Sequence, residues 1–218
     1  MILYGSSLSP FVRKVLAYAG EKGIEFDLRP TGKAPGQPSD EFLEASPLRK
    51  MPALRDENFT LADSSAIIQY LEARFPEPVL IPTEAQMRGR TIWFEEFADT
   101  VLTSCGTKMF YNRVVLPRFY GKPGNEEEAS AAEQQDLPPL LDYLERVVPE
   151  VGEFLIGGRI TLADIAVASP FANFVQLGCA RDGERHRRVY AYVDWILERP
   201  SFKPWIERDA QTLARVAA

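Results

Sequence analysis

Ile2-Leu3-Tyr4-Gly5-Ser6-Ser7-Leu8-Ser9-Pro10-Phe11-Val12-Arg13-Lys14-Val15 holds two different patterns in one short stretch. Ile2 to Tyr4 is a brief apolar run stopped by Gly5, as in a buried strand. From Pro10 to Lys22 the apolar residues fall at 11, 12, 15, 16, 18 and 19, a helical stripe. Ser9 is a natural N-cap, and Pro10 suits the first helical position, where its missing N–H costs nothing. Gly23 suits the left-handed residue that closes a helix. Ile24, Phe26 and Leu28 then alternate with charges, as in a half-buried strand. This is a β-α-β unit, and its two strands are expected to run parallel.

Outward from this unit, Thr31 to Pro38 is rich in Gly and Pro and reads as a loop. Asp40 to Ala45 reads as a short helix. Met51 to Arg55 and Phe59 to Leu61 read as strands joined by Asp56-Glu57-Asn58 into a hairpin. Asp63 to Phe75 reads as a helix with Ala66, Ile67, Tyr70, Leu71 and Phe75 on one face. The order is β-α-β-α-β-β-α over residues 1–76. Pro76, Pro78 and Pro82 mark a linker over 77–83. From Glu84 to the end only helical patterns are seen, so residues 84–218 are expected to form an all-α domain. Arg88 to about Val115 reads as one long aromatic-rich helix, and Pro138-Pro139 as a kink or break in another. Thr161 and Asp164 form a capping box, with Ile160 and Ile165 at the staple positions.

Composition sets outer bounds. The chain has 218 residues, 45% apolar and 26% charged, enough to bury a core without staples. No apolar run approaches the roughly 18 residues that span a bilayer, and Met1 to Gly5 lacks the features of a signal peptide. The net charge of −6 argues against nucleic acid or an anionic membrane as the main partner. The two cysteines, Cys105 and Cys179, give no metal spacing and no disulfide framework. A soluble protein of the reducing cytoplasm is the expectation. The single histidine lies in Arg185-His186-Arg187-Arg188, which reads as solvated surface.

Three places could bind a ligand. Ser9 stands where a parallel strand gives way to a helix, a place where ligands tend to bind and anions are favoured. Met51-Pro52 opens a strand with a residue that cannot donate to the ladder. A cis bond there would turn the Met51 N–H and C=O toward an open groove. Asp63-Ser64 opens a helix with a hydroxyl and free N–H groups suited to a carboxylate, beside an aspartate suited to an ammonium. Together those two could hold an α-amino acid head group. Read singly, each of the three also fits a plain structural role as a cap or a strand start.

Taken together, these segments resemble the soluble glutathione transferases. Leu3 to Val15 resembles the first strand and active-site helix of that family. Pro47-Leu48-Arg49-Lys50-Met51-Pro52-Ala53-Leu54 is similar to its Lys-Val-Pro segment, where the proline is cis. Leu61 to Leu71 is similar to its Glu/Asp-Ser helix start. Thr161 to Asp164 resembles the capping box of its second domain, and Trp195 to Lys203 its C-terminal helices. The resemblance implies a thioredoxin-like domain over 1–76, a helical electrophile-site domain over 84–218, and glutathione as co-substrate, with no metal. It implies that Ser9 activates the glutathione thiol. Met51, beside Pro52, would pair through its backbone with the cysteinyl unit. Asp63 and Ser64 would hold the γ-glutamyl head, and Lys50 the glycine carboxylate, helped by Lys33 or Gln37. It further implies an electrophile pocket drawn from Leu8, Cys105, Met109 and Tyr111, and a homodimer in which Arg74 meets Glu95, Glu96 or Asp99 of a second copy. Residues 9–12 lack the cysteine of thiol-transferring relatives and the Ser-Ser-Cys run of the zeta class. Arg49 stands where glycine is common. Another glutathione-dependent enzyme (isomerase, dehalogenase or peroxide reductase) and a non-catalytic protein on the same fold are the competing expectations.

A serine suffices for this chemistry. Lowering a thiol pKa by about 2 units from about 8.5 requires roughly 2.7 kcal/mol favouring the thiolate. A hydrogen bond to a charged acceptor contributes about 1.5–3 kcal/mol, and a helix N-terminus adds about 0.3–1 kcal/mol.

Overall fold

A computed structural model describes residues 1–216. Two compact units emerge, one of Met1–Leu80 with Pro200–Asp209, the other of Ile81–Arg199 with the chain's end. The first holds β1 (Ile2–Tyr4), α1 (Pro10–Glu21), β2 (Asp27–Arg29), β3 (Gly32–Ala34), β4 (Gln37–Pro38), α2 (Asp40–Ala45), β5 (Ala53–Asp56), β6 (Phe59–Ala62) and α3 (Ser64–Arg74). The main sheet has the order β2-β1-β5-β6. β1 and β2 are parallel, as the β-α-β reading requires, and β5 and β6 form the expected antiparallel hairpin. The segment read as a loop differs: β3 and β4 pair there as a small antiparallel hairpin with an irregular register.

Alternation along the strands sets the layers. Tyr4 packs with Phe42, Ala45 and Ala53, which seats α2 on the sheet. Leu3, Val12, Val15, Ile67, Ile68 and Leu71 are fully buried, where α1 packs on α3. Gly5 is obligatory at the exit of β1. Its φ is +154°, and a Cβ there would come within 2.6 Å of Val12 Cγ2.

Two buried polar clusters fasten this unit's ends. Lys22 Nζ meets Glu72 Oε2 at 2.6 Å and donates to the carbonyls of Phe75 and Pro78 at 2.7 Å each. Tyr18 donates to the same Glu72 carboxylate, which also takes the Leu80 N–H at 3.1 Å. The proline-rich exit is thereby tied down. Residues 200–209, which the sequence reading assigned to the helical half, group with the sheet. Ser201 Oγ donates to Glu21 Oε1 at 2.6 Å, and Phe202 is fully buried.

The second unit holds α4 (Ala85–Glu96), α5 (Thr103–Phe110), α6 (Glu126–Ala131), α7 (Leu137–Val147), α8 (Leu162–Leu177) and α9 (Arg187–Leu197); α10 (Lys203–Val216) closes the chain. The expected single helix from Arg88 is interrupted by π-helical turns at Phe97–Leu102 and Tyr111–Phe119. A third such stretch, Ala132–Asp136, leads directly into α7. Pro138 and Pro139 therefore cause no break: the backbone stays helical as it passes from the π-helical stretch through them into α7.

Helix α8 is buried from Leu162 to Phe174 and is the core of this unit. Its start is the expected capping box. Asp164 accepts from the Thr161 N–H at 2.7 Å and hydroxyl at 2.9 Å, from the Leu155 N–H at 2.8 Å, and from Tyr192. Burial raises its pKa, and these donors oppose the rise. His186 overturns the surface expectation. It is 3% exposed, because α9 docks on α7 and its Nε2 lies 2.9 Å from Asp142 Oδ1. Arg185 holds the same carboxylate at 2.6 Å, and Glu145 accepts the N–H groups of Arg188 and Val189 at 3.0 and 2.9 Å.

Candidate functional site

The sheet register brings the three sequence-read places together. Tyr4, Ala53 and Ala62 face one another across β1, β5 and β6. One step past that row lie Gly5, Pro52 and Asp63. All three are at the edge where the parallel strand β1 ends, the side of such a sheet where ligands bind. Proximity is direct at one point: a Cβ on Gly5 would lie 3.5 Å from the Met51 Cβ.

Ser9 is the N-terminal flanking residue of α1, with φ −76° and ψ 126°. Its N–H donates to the Ser6 carbonyl, and its own carbonyl accepts from Arg13, both at 2.9 Å. The hydroxyl makes no bond to the helix it precedes. A pure cap would spend that hydroxyl on the first turn. Here it stays available at the positive end of a helix.

The Met51–Pro52 bond is cis, and β5 begins only at Ala53. Met51 is 41% exposed, and no bond to its backbone N–H or C=O is found among the described residues. The preceding turn is rigid. Ser46 Oγ accepts from the Lys50 N–H at 3.0 Å and donates to the Lys50 carbonyl at 2.7 Å. Arg49 has φ +58°, the left-handed conformation that glycine adopts most easily. That explains why its place favours glycine.

Asp63 has φ +82° and caps α3: Oδ1 accepts from the Ser65 and Ala66 N–H groups at 2.9 and 3.2 Å. Its second oxygen, Oδ2, is bonded by no described residue, so the carboxylate keeps one face for a cation. Ser64 is 2% exposed at the first position of α3, where backbone N–H groups have no intrahelical partner. Lys14 Nζ donates to Ser65 Oγ at 3.4 Å, linking the starts of α1 and α3. Lys50 is exposed beside Met51; Lys33 and Gln37 are exposed on the β3–β4 hairpin.

The electrophile candidates are placed differently. Leu8 is 9% exposed. Cys105 is 4% exposed and its thiol meets the Ala132 carbonyl at 3.4 Å; Met109 is fully buried. Both are core of the helical unit. Burial pushes the Cys105 thiol up to about 11. Tyr111, at 46% exposure, is the one of these three helical residues that faces outward. Of the residues proposed for a second copy, Arg74 pairs within its own chain with Asp56 at 3.2 Å, and Glu95 is 1% exposed. One cluster near Ser9 escaped the sequence reading altogether. Ser7, Arg13 and Asp209 meet in the interior, and no local motif links residues some 200 positions apart.

Residues 3–79 match the model of the glutathione S-transferase N-terminal domain, and residues 112–209 that of its C-terminal domain. Glutathione S-transferase theta-3 of Mus musculus is 34% identical over 179 residues, covering 81% of this chain and 74% of the relative. The chain belongs to the glutathione S-transferase family. The theta-1 enzyme of Homo sapiens is 33% identical over the same share of both chains. The apo structure of human glutathione S-transferase T1-1 superposes with a TM-score of 0.79 at 27% identity, covering 98% of this chain and 89% of that one. This chain is thus a glutathione S-transferase with a thioredoxin-like N-terminal domain and a helical C-terminal domain. No described helix is long and apolar enough to cross a membrane.

Proposed function

We propose that this transferase joins the thiolate of glutathione to small apolar electrophiles, with Ser9 donating a hydrogen bond to the sulfur. The observation that carries the reading is the Ser9 hydroxyl, which sits at a helix start and leaves that helix uncapped. The tripeptide would lie along the sheet edge. Met51 would pair with the cysteinyl unit through its open N–H and C=O. Ser64 and the N–H groups of α3 would take the γ-glutamyl carboxylate, and Asp63 Oδ2 the ammonium. Lys50, with Lys33 or Gln37, would meet the glycine carboxylate. Leu8 beside Ser9 gives the sulfur an apolar neighbour, suited to an apolar acceptor. The reaction needs no base stronger than solvent. The thiol ionises, the sulfur lone pair attacks the electrophilic carbon, and the leaving group departs with its electron pair. Ser9 lowers the cost of the first step, and fixed binding lowers that of the second. A homodimer is the proposed assembly.

Retention on immobilised glutathione, followed by turnover of a model aryl halide, tests the function. Ser9→Ala tests the mechanism. The bound thiol pKa should rise by about 1–2 units, and the rate near pH 6.5 should fall by roughly ten- to a hundredfold. The deficit should shrink at high pH. Because Ser9 makes no capping bond, stability should barely change. Retention without conjugation would favour the isomerase, dehalogenase or reductase reading. A Ser9→Ala pH–rate profile that overlays the parent would end the catalytic assignment.

A further inference from the structure

Asp209, far along the chain in α10, lies among the residues that frame Ser9. Its Oδ1 accepts from Ser7 Oγ at 2.5 Å, and its Oδ2 accepts from the Arg13 guanidinium at 3.0 Å. The three residues are 1%, 3% and 0% exposed respectively. Burial lowers the Arg13 pKa, and the pairing with Asp209 opposes it, so the two charges sustain each other in the interior.

The spacing gives this cluster its meaning. Ser7 stands two residues before Ser9, and Arg13 four residues after it. Arg13 also donates its N–H to the Ser9 carbonyl at 2.9 Å. One carboxylate therefore grips the chain on both sides of the reactive hydroxyl. The Ser9 side chain makes no capping bond, and none to any other group is found among the described residues. Its position is set by what anchors its neighbours, and the side chains of Ser7 and Arg13 both lead to Asp209.

We propose that Asp209 is a positioning residue for Ser9, acting through Ser7 and Arg13 to hold the hydroxyl within bonding reach of the glutathione sulfur. This rests on the reading that Ser9 meets the thiolate. A hydrogen bond to an ionised sulfur depends steeply on distance and angle. Slack in the 6–9 turn would weaken that bond while leaving Met51, Asp63 and Ser64 untouched. The signature is thus a shift in thiol pKa with an unchanged Michaelis constant for glutathione.

The test compares Ser7→Ala, Asp209→Asn, Ser9→Ala and the parent as full chains. The ultraviolet absorbance of the bound thiolate is titrated against pH, and the pH–rate profile and Michaelis constant are measured alongside. Ser7→Ala keeps the ion pair and carries the test if Asp209→Asn fails to fold. For Ser7→Ala the thiol pKa should rise by about half to one unit, a three- to tenfold rate loss near pH 6.5 that closes at high pH. Asp209→Asn should shift it further in the same direction. A folded Ser7→Ala that titrates as the parent does, while Ser9→Ala is shifted, would overturn the positioning role alone. Unshifted titration in Ser9→Ala would overturn the Ser9 reading on which it stands.

Discussion

The edge of the sheet and the interior of the helical unit use polar groups in opposite ways. At the sheet edge, backbone groups and side-chain faces are left open. The Ser9 hydroxyl caps nothing, the Met51 amide is unpaired among the described residues, and Asp63 keeps one oxygen free. In the helical unit the polar groups close on one another. Asp164 takes four donors, and Asp142 and Glu145 of α7 receive the start of α9. On the proposed function, the difference separates residues kept for a ligand from residues kept for the fold. Changes at the first should move binding and leave stability nearly intact. Changes at the second should do the reverse.

The sharpest test of that division is Asp164→Ala. It would leave three buried donors and one half-buried donor without their acceptor, and a loss of about 3–5 kcal/mol is expected by denaturant titration. The Michaelis constant for glutathione of the folded protein should hold. At the sheet edge, Asp63→Asn and Ser64→Ala should each raise that constant roughly tenfold with little change in turnover, since the head group does not change during the reaction. Asparagine tolerates the unusual backbone at 63 better than alanine would, which isolates the charge. A fall in turnover at constant Michaelis constant would count against the assignment.

Much of the sheet edge was legible because its signals are local. A serine before a proline, a proline at a strand start and an aspartate before a helix each mark the start of an element within two or three residues, while the cis bond before Pro52 came from the resemblance. The helical candidates were not legible in that way. Cys105 and Met109 came from the resemblance, which assigns the pocket to the long helix as a whole; no local signal says which of its residues face the core, and π-helical turns at Phe97–Leu102 and Tyr111–Phe119 interrupt its regular pitch. His186 was misread because its neighbours are arginines, and the carboxylate that buries it lies 44 residues away. The hairpin at 32–38 was hidden by the Gly and Pro content of its strands. The Ser7–Arg13–Asp209 cluster had no sequence signal, since its partners meet only in three dimensions.

Smaller effects probe the same division. Cys105→Ala should leave turnover within about twofold and cost roughly 1–2 kcal/mol as a buried truncation. With its pKa pushed up to about 11, the native Cys105 thiol should react with disulfide reagents far more slowly than after unfolding. A large loss of turnover would return it to the electrophile site. Asp142 is held below the usual carboxylate range by Arg185 first and His186 second. A depressed carboxyl contributes stability above its unfolded value of about 3.9, lost as the pH falls through the folded value. Melting temperatures of Asp142→Asn should therefore fall less steeply than the parent's below about pH 4. The smallest expected change is Arg49→Gly. Relief of the left-handed conformation is nearly offset by the greater freedom of an unfolded glycine, for a gain of about 0.5 kcal/mol.

The position of Asp209 also bears on how the protein is made. The sheet, α1 and α3 lie within the first 80 residues and leave the ribosome early. The carboxylate that meets Arg13 and Ser7 is translated more than a hundred residues later. Domains commonly fold as they are synthesised, but this one must wait for nearly the whole chain before its interior charge is matched. A product cut short before α10 would keep every residue proposed to touch glutathione and still lack this buried carboxylate. On the proposed positioning role, completion of the chain becomes a condition on the activity of its beginning.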